Sequence, residues 1–221
     1  MKRFDCFKAI ASSMTDELVI TNLANTANEW RTARPHDGNF YFVGMGMVTP
    51  YALGLALALP HRRVLALDGD GGILFELSIL GTLAQSAPQN LCVVVLDNEG
   101  YVSTGKGTHT ASLSAGPIDI AGVARASGIK NVHEVRTVDD FASAVTQGLN
   151  GDEGPTVIVA KVNNEQEFVG TSLTDGKENK YSFVRHIEKL EQTTILKPSA
   201  REHGEPPQPD PVFTTVNEED P

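Results

Sequence analysis

Apolar and polar positions follow two alternating patterns along the first 190 residues. Short runs that are apolar throughout are typical of strands buried on both faces of a parallel sheet. Segments with apolar residues three to four positions apart are typical of helices that cover such a sheet. The apolar runs predict strands at 17–22, 63–68, 91–97, 132–135 and 155–162, and the helical periods predict helices at 49–59, 77–85, 118–127, 138–149 and 181–190.

This alternation predicts an α/β fold, a three-layer, doubly wound parallel sheet with helices on both faces. We expect residues 1–190 to form one domain and residues 191–221 to form an acidic, proline-rich tail. From residue 192 onward the chain has six of its twelve prolines, and six acidic residues against two basic ones. Such a segment buries too little apolar surface to offset its chain entropy, so we expect it to be disordered or extended.

Composition excludes several classes of protein. The chain has 221 residues, of which 40% are hydrophobic and 21% charged, enough apolar residues for a sizeable core. A net charge of −10 argues against nucleic-acid binding. No apolar stretch reaches the ~18 residues of a membrane span, and Asp5 and Lys8 interrupt any apolar segment of a signal peptide. Cys6 and Cys92 lack disulfide-framework or CxxC spacing, which favours a reducing, cytoplasmic environment.

Two polar residues follow two of the predicted strands. Asp70 comes just after the strand at 63–68, and Asn98 directly after the strand at 91–97. The intervening segment is long enough for one crossover helix, so the two strands are expected to be parallel neighbours. Ligands bind at the carboxyl ends of such strands. A carboxylate and an amide oxygen suit a hard divalent cation such as Mg²⁺, although Ca²⁺ and Mn²⁺ also accept these ligands.

Glycines flank this aspartate at positions 69, 71 and 72. Residues without a side chain let the backbone approach an anion closely. The N–H groups of Gly72 and Ile73 come at the start of the next helix, where a diphosphate would bind. The run GDGG alone also fits an ordinary tight turn, and the asparagine after the next strand favours the ligand-binding interpretation.

Several segments resemble thiamine diphosphate-dependent enzymes. Gly-Asp-Gly at 69–71, followed by 26 residues and Asn98, is similar to the diphosphate-binding motif of that family, and MGMVTPYALG at 45–54 is similar to the segment preceding it. More closely, MKRFD, NFYFVGMG, DNEGYVSTG and THT resemble the beta subunit of sulfopyruvate decarboxylase and the carboxyl-terminal half of phosphonopyruvate decarboxylase. The resemblance implies the thiamine diphosphate-binding fold for residues 1–190.

The resemblance also implies roles for individual residues. Asp70, Asn98 and the Gly100 carbonyl would bind Mg²⁺. Met45 would lie beneath the cofactor and hold its two rings in a bent conformation, which brings the amino group of one ring to the reactive carbon of the other. His109 would donate a proton or contact the substrate, and a solvated loop histidine is an equal alternative. Further cofactor contacts are implied for Asn25, Thr26, Gly69, Gly71, Gly72 and Ile73 around the diphosphate, for the Val43 carbonyl at the aminopyrimidine and for Tyr101.

In this family a glutamate from a separate pyrimidine-binding domain activates the cofactor. The chain contains a single α/β unit, which matches the diphosphate-binding half. We therefore expect an obligate pyrimidine-binding partner subunit that supplies the glutamate, in an α2β2 or larger assembly. The resemblance then implies decarboxylation of a small 2-oxo acid, with release of CO2 and an aldehyde.

Other functions stay open from the sequence. A thiamine-dependent carboligase subunit resembling acetolactate synthase and a non-catalytic regulatory subunit both fit the motifs. An unrelated nucleotide-binding domain fits poorly, because the GxGxxG spacing is absent. Sulfopyruvate-type sequences have Gly, Lys and Arg where this chain has Ala24, Asn25 and Asn28. Because this chain lacks the Lys and the Arg, we expect weaker recognition of a sulfonate or phosphonate group on the substrate. The sequence therefore leaves the particular 2-oxo acid open.

Overall fold

The structure, a computed structural model, describes residues 1–101, 110–170 and 175–196. Strands and helices alternate along most of the chain. In chain order they are α1 (Arg3–Ala11), β1 (Leu18–Asn22), α2 (Asn25–Ala33), β2 (Asn39–Val43), α3 (Val48–Ala58), β3 (Val64–Gly69), α4 (Asp70–Phe75), α5 (Ile79–Ser86), β4 (Leu91–Asp97), β5 (Gly100–Tyr101), β6 (Thr110–Ala111), a 3₁₀ turn (Leu113–Ala115), α6 (Ile120–Ala126), β7 (Asn131–Val135), α7 (Val138–Asn150), β8 (Thr156–Lys161) and α8 (Gly176–Glu191).

Six strands form one parallel sheet in the order β2-β1-β3-β4-β8-β7. The chain leaves β1 toward β2 on one side and returns to place β3 on the other side. The strand order therefore reverses between β1 and β3, and the crevice at such a switch point is where doubly wound sheets bind ligands. The short strands β5 and β6 form a separate antiparallel pair.

Helices cover both faces of the sheet, which confirms the three-layer α/β prediction. Every residue of β1 and β4 is buried. One apolar cluster joins one face of these strands to α3, α5, α6 and α8 through residues such as Leu53, Leu80 and Phe183. A second cluster joins the other face to α1, α2 and α7 through Phe7, Trp30 and Phe141.

The predicted strands and most predicted helices lie within two residues of their observed bounds, and α8 begins five residues before the helix predicted at 181–190. The elements that were not predicted are α1, α2, β2, the short helix α4, the β5–β6 pair and the 3₁₀ turn. Of these, α2 carries a charged residue on its buried face. Its helical pattern is hidden because Glu29, a charged residue, is fully buried. The helix expected at 77–85 begins at Ile79, after the separate short helix α4.

Two further expectations concern the membrane and the tail. Among residues 1–101, 110–170 and 175–196, no helix combines the length and hydropathy needed to cross a membrane. The predicted tail begins at residue 191, which is the last residue of α8. Residues 197–221 lie outside the described residues, and the disorder predicted for them stays a prediction.

Candidate active site

A cavity of about 320 Å³ opens at the switch point between β1 and β3. It lies at the carboxyl ends of the strands, where three segments meet. These are the turn after β1, the segment after β4 and the residues Gly69–Gly72, in which β3 passes directly into the first turn of α4 and which we call the Gly69–Gly72 turn. Most residues predicted to hold a cofactor line this one cavity. They are Asn25, Thr26, Met45, Gly69, Asp70, Gly71, Gly72, Asn98, Gly100 and Tyr101.

Two other predicted residues do not line the cavity. Val43 and Ile73 are buried in the apolar core beside the cavity rather than in its lining. The groups assigned to these two residues are backbone atoms, so their proposed contacts stay predictions. His109 lies outside the described residues, so its role stays a prediction.

Three oxygen-bearing groups converge at the predicted metal site. One terminal atom of the Asn98 carboxamide lies 3.0 Å from Asp70 Oδ1 and 3.1 Å from the Gly100 carbonyl oxygen. Neighbouring ligands of an octahedral Mg²⁺ ion, each about 2.1 Å from the metal, are about 3 Å apart. The two distances from Asn98 are therefore those expected between neighbouring ligands of a magnesium ion.

The Asn98 carboxamide fits two orientations. With its nitrogen toward the cavity it would donate hydrogen bonds to Asp70 Oδ1 and to the Gly100 carbonyl, which holds the three groups together without a metal. With its oxygen there, its nitrogen donates to Asn164 Oδ1 at 2.7 Å and the inward oxygen faces oxygens of Asp70 and Gly100. Oxygens this close repel one another unless a cation lies between them, so the second orientation is the one that would bind a hard divalent ion.

Asp70 is held in place from its other side. Its Oδ2 accepts a hydrogen bond from the Ser112 hydroxyl, and the Ser114 hydroxyl oxygen lies 3.1 Å from the same atom. Burial raises the pKa of the Asp70 carboxyl above its ordinary value, and the hydrogen bond from Ser112 opposes that shift. A bound cation would favour the charged carboxylate. The buried position therefore suits Asp70 to a metal-binding role.

Two glycines allow the Gly69–Gly72 turn to pack closely against its neighbours. A Cβ atom at Gly71 would overlap the Tyr101 ring and lie 3.0 Å from Met45 Cε, so both side chains stand over this backbone. A Cβ atom at Gly72 would overlap Asp68 Oδ1. The first N–H groups of a helix lack partners within it, and α4 begins at Asp70.

Asp68 forms a buried network beneath the turn that was not predicted. It is 1% exposed, and its Oδ1 accepts hydrogen bonds from Gly69 N at 2.9 Å and Asn22 Nδ2 at 3.3 Å. Thr49 Oγ1 donates to Oδ2 at 2.9 Å. Burial raises the pKa of Asp68 to about 6. The network ties the ends of β1 and β3 to the start of α3.

The cavity also contains residues that the sequence analysis did not assign to it. They are Arg3, Asn22, Leu23, Ala24, Leu96 and Gln166. Arg3 is the only cation among the described residues of the lining. It forms a bidentate ion pair with the fully buried Glu29, at 2.8 and 2.9 Å. The resemblance of the MKRFD segment to other proteins drew attention to this region. Because Arg3 is far from Asp70 in sequence, its position in the cavity was not predicted.

Fold and site together define a class of protein. A parallel α/β domain has a cavity at its topological switch point, in which a carboxylate, a carboxamide and a backbone carbonyl meet beside glycines and the starts of two helices. Such an arrangement suits a phosphate-bearing cofactor that a divalent cation joins to the protein.

Comparison with known proteins identifies the family. The thiamine pyrophosphate enzyme C-terminal TPP binding domain matches residues 21–160, so the chain belongs to this family. It is 40% identical over 152 residues to the sulfopyruvate decarboxylase subunit beta of Methanothermobacter thermautotrophicus, which covers 68% of this chain and 78% of that protein.

Two longer proteins match over part of their length. The phosphonopyruvate decarboxylase of Streptomyces viridochromogenes is 37% identical over 152 residues, or 68% of this chain and 37% of that protein. The crystal structure of benzoylformate decarboxylase from Polynucleobacter necessarius superposes with a TM-score of 0.63 at 20% identity, covering 76% of this chain and 34% of that chain. The second match supports the fold alone.

Proposed function

We propose that the chain is the diphosphate- and Mg²⁺-binding subunit of a heteromeric thiamine diphosphate-dependent 2-oxo acid decarboxylase of the sulfopyruvate or phosphonopyruvate type. The observation that carries the proposal is the convergence of the Asp70 carboxylate, the Asn98 carboxamide and the Gly100 carbonyl in the cavity of a thiamine pyrophosphate enzyme domain. The 40% identity to a sulfopyruvate decarboxylase subunit beta favours this reaction class.

The chain's own residues would bind and orient the cofactor. Asp70, Asn98 and the Gly100 carbonyl would hold Mg²⁺, and the metal would in turn bind the diphosphate. The Gly69–Gly72 turn and the start of α2, at Asn25 and Thr26, line the same cavity, and the start of a helix favours an anion. Arg3 adds a positive group to the lining, although its charge is balanced by Glu29.

The catalytic chemistry comes from the cofactor and its protein environment. Thiamine diphosphate, when bound, supplies a nucleophilic ring carbon for the ketone of a 2-oxo acid and accepts the electrons released as CO2 leaves. Met45 would support the bent cofactor conformation, and Tyr101, which packs over the same glycine, would restrict water at the site. His109 is proposed to hold the proton that completes the aldehyde product.

A partner subunit would complete the site. Asp70 is the only carboxylate among the described residues that line the cavity, and its oxygens already face Asn98 and the two serines. The activating glutamate is therefore proposed to come from a pyrimidine-binding partner, in an α2β2 or larger assembly. The name "subunit beta" of the relative supports this proposal, as does the greater length of the phosphonopyruvate decarboxylase.

The proposal is tested by co-expressing the chain with a candidate partner and measuring CO2 release from a panel of 2-oxo acids that includes sulfopyruvate and phosphonopyruvate. We expect turnover only with both chains, thiamine diphosphate and Mg²⁺ present. Asp70→Ala should abolish it, whereas the control Asp139→Ala, at an exposed position on α7, should not. Turnover by this chain alone would contradict the partner proposal. Cofactor binding without CO2 release from any acid would contradict decarboxylation and favour carboligation or regulation.

A further inference from the structure

Two buried serines surround the oxygen of Asp70 that faces away from Asn98 and Gly100. Ser112 is 4% exposed and Ser114 is 6% exposed. Both hydroxyls lie within hydrogen-bond distance of Asp70 Oδ2, and the two hydroxyl oxygens are 2.6 Å apart. The carboxylate is therefore held at Oδ2 while Oδ1 faces the other two groups of the cation site.

Ser114 is itself fixed by a buried ion pair. Its single hydroxyl proton is shared between Asp97 Oδ1 at 2.8 Å and Asp70 Oδ2 at 3.1 Å. Lys161 Nζ lies 2.6 Å from Asp97 Oδ2. Asp97 is 1% exposed, and it pairs with Lys161 in the register of β4 and β8. Lys161 balances the charge of Asp97, which reduces repulsion between this carboxylate and Asp70.

The serines are also connected to the third group of the cation site. Ser112 N donates to Glu99 O at 3.1 Å, and Ala111, the residue before it, pairs with Gly100 across the β5–β6 ladder. One short segment thus holds Asp70 Oδ2 and the backbone that presents the Gly100 carbonyl. Rotation of the Asp70 side chain would break hydrogen bonds to this segment.

We propose that Ser112 and Ser114 are positioning residues that fix the Asp70 carboxylate in one orientation and thereby make the site prefer Mg²⁺ to Ca²⁺. Mg²⁺ requires near-ideal octahedral geometry, whereas Ca²⁺ tolerates irregular shells and variable carboxylate orientation. A carboxylate free to rotate would therefore lose more affinity for Mg²⁺ than for Ca²⁺. This inference rests on the proposed function, because it assumes that Asp70 binds a metal.

The test measures metal affinity without turnover. The full chain is held at saturating thiamine diphosphate and titrated with Mg²⁺ or Ca²⁺, and the shift of the thermal unfolding midpoint gives an apparent Kd for each ion. Ser114→Ala and Ser112→Ala should each raise the Mg²⁺ Kd about 10-fold, as loss of groups that orient metal ligands does. The Ca²⁺ Kd should rise by less than about 3-fold.

Three further variants separate positioning from folding. Ser114→Thr keeps the hydroxyl and should restore Mg²⁺ preference. Ser13→Ala removes a hydroxyl that donates to Ile10 O at 2.9 Å far from the cavity, and should leave both Kd values unchanged. The double variant Ser112→Ala/Ser114→Ala should lose less than the product of the single effects, because both hydroxyls hold one oxygen. Midpoints measured with EDTA report any general loss of stability.

The outcomes are distinct. Equal weakening of Mg²⁺ and Ca²⁺ binding, or no change beyond that of Ser13→Ala, would overturn the positioning role and leave the proposed function standing. Absence of stabilisation by either ion in the wild-type chain would overturn the metal site itself, and the inference with it.

Discussion

Gly72→Ala tests the close packing between the Gly69–Gly72 turn and the buried Asp68. The new methyl group would overlap Asp68 Oδ1 and lie 3.1 Å from Asn22 Nδ2. Asp68 cannot move freely, because Gly69 N, Asn22 and Thr49 all donate hydrogen bonds to it. The clash must therefore displace either the turn or a buried carboxylate.

The cost follows from these contacts. Overpacking a buried site costs about 1–3 kcal/mol, and a buried polar group left without its partner costs about 1–3 kcal/mol more. We expect Gly72→Ala to lower the free energy of unfolding by about 3 kcal/mol. Gly81→Ala on α5 makes the same chemical change where no atom lies within 4 Å of the new Cβ. It should raise the free energy of unfolding by up to about 1 kcal/mol, the helix preference for Ala over Gly.

Urea unfolding of the metal-free chain measures both free energies from the midpoints, provided that the m-values stay equal. The two variants should differ by about 4 kcal/mol, the sum of the opposing effects above. A Gly72→Ala variant within about 0.5 kcal/mol of wild type, the range of ordinary surface substitutions, would show that Asp68 does not lie beneath the turn.

Three other perturbations have definite expected results. Ala24 has φ 58° and ψ −130°, a conformation that glycine adopts without strain. Ala24→Gly should therefore raise the free energy of unfolding, measured in urea, by about 1 kcal/mol. A lower free energy of unfolding in this variant would contradict the strained conformation. Burial lowers the pKa values of His36 and His186, whose rings lie 5.0 Å apart. The unfolded chain therefore binds protons more readily than the folded chain, and the stability that the two neutral rings contribute should be lost as pH falls below about 6.5, the histidine pKa in the unfolded chain. His186→Gln should reduce the slope of the unfolding free energy against pH, and an unchanged slope would contradict this pKa assignment. Lys161→Met leaves Asp97 without its cation and should destabilise the chain by about 3 kcal/mol, and a variant as stable as wild type would show that the ion pair carries no structural role.

The fold was largely predictable because its central strands are apolar throughout. In the runs at 91–97 and 155–162, apolar residues occupy both faces that a strand presents. The sequence therefore predicts strands that are buried on both faces of a parallel sheet, as observed. The segments that were not predicted are those in which tertiary pairing overrides local pattern. Glu29 and Arg3 are buried as an ion pair, and Glu29 also accepts a hydrogen bond from Glu167 N at 3.1 Å. These partners are distant in sequence, so the local pattern does not predict that either residue is buried.

The candidate site was predictable where its residues follow strands. Asp70 and Asn98 come together because β3 and β4 are parallel neighbours whose ends meet at one edge of the sheet. Ser112 and Ser114 could not be placed, because they reach Asp70 through a short β-pair and a 3₁₀ turn that no apolar periodicity marks. The same holds for Asp68, whose place at the end of an apolar run gave no sign that Asn22 and Thr49 would surround it.

Direct binding of thiamine diphosphate tests the central claim, that Asp70, Asn98 and Gly100 form a metal site for a diphosphate cofactor. Isothermal titration of the full chain is carried out in Mg²⁺ and again in EDTA, with Asn98→Ala beside the wild type. The account predicts binding that requires Mg²⁺ and is lost in Asn98→Ala, with the metal-free unfolding midpoint unchanged. Binding of equal affinity in EDTA, or full binding by Asn98→Ala, would contradict it.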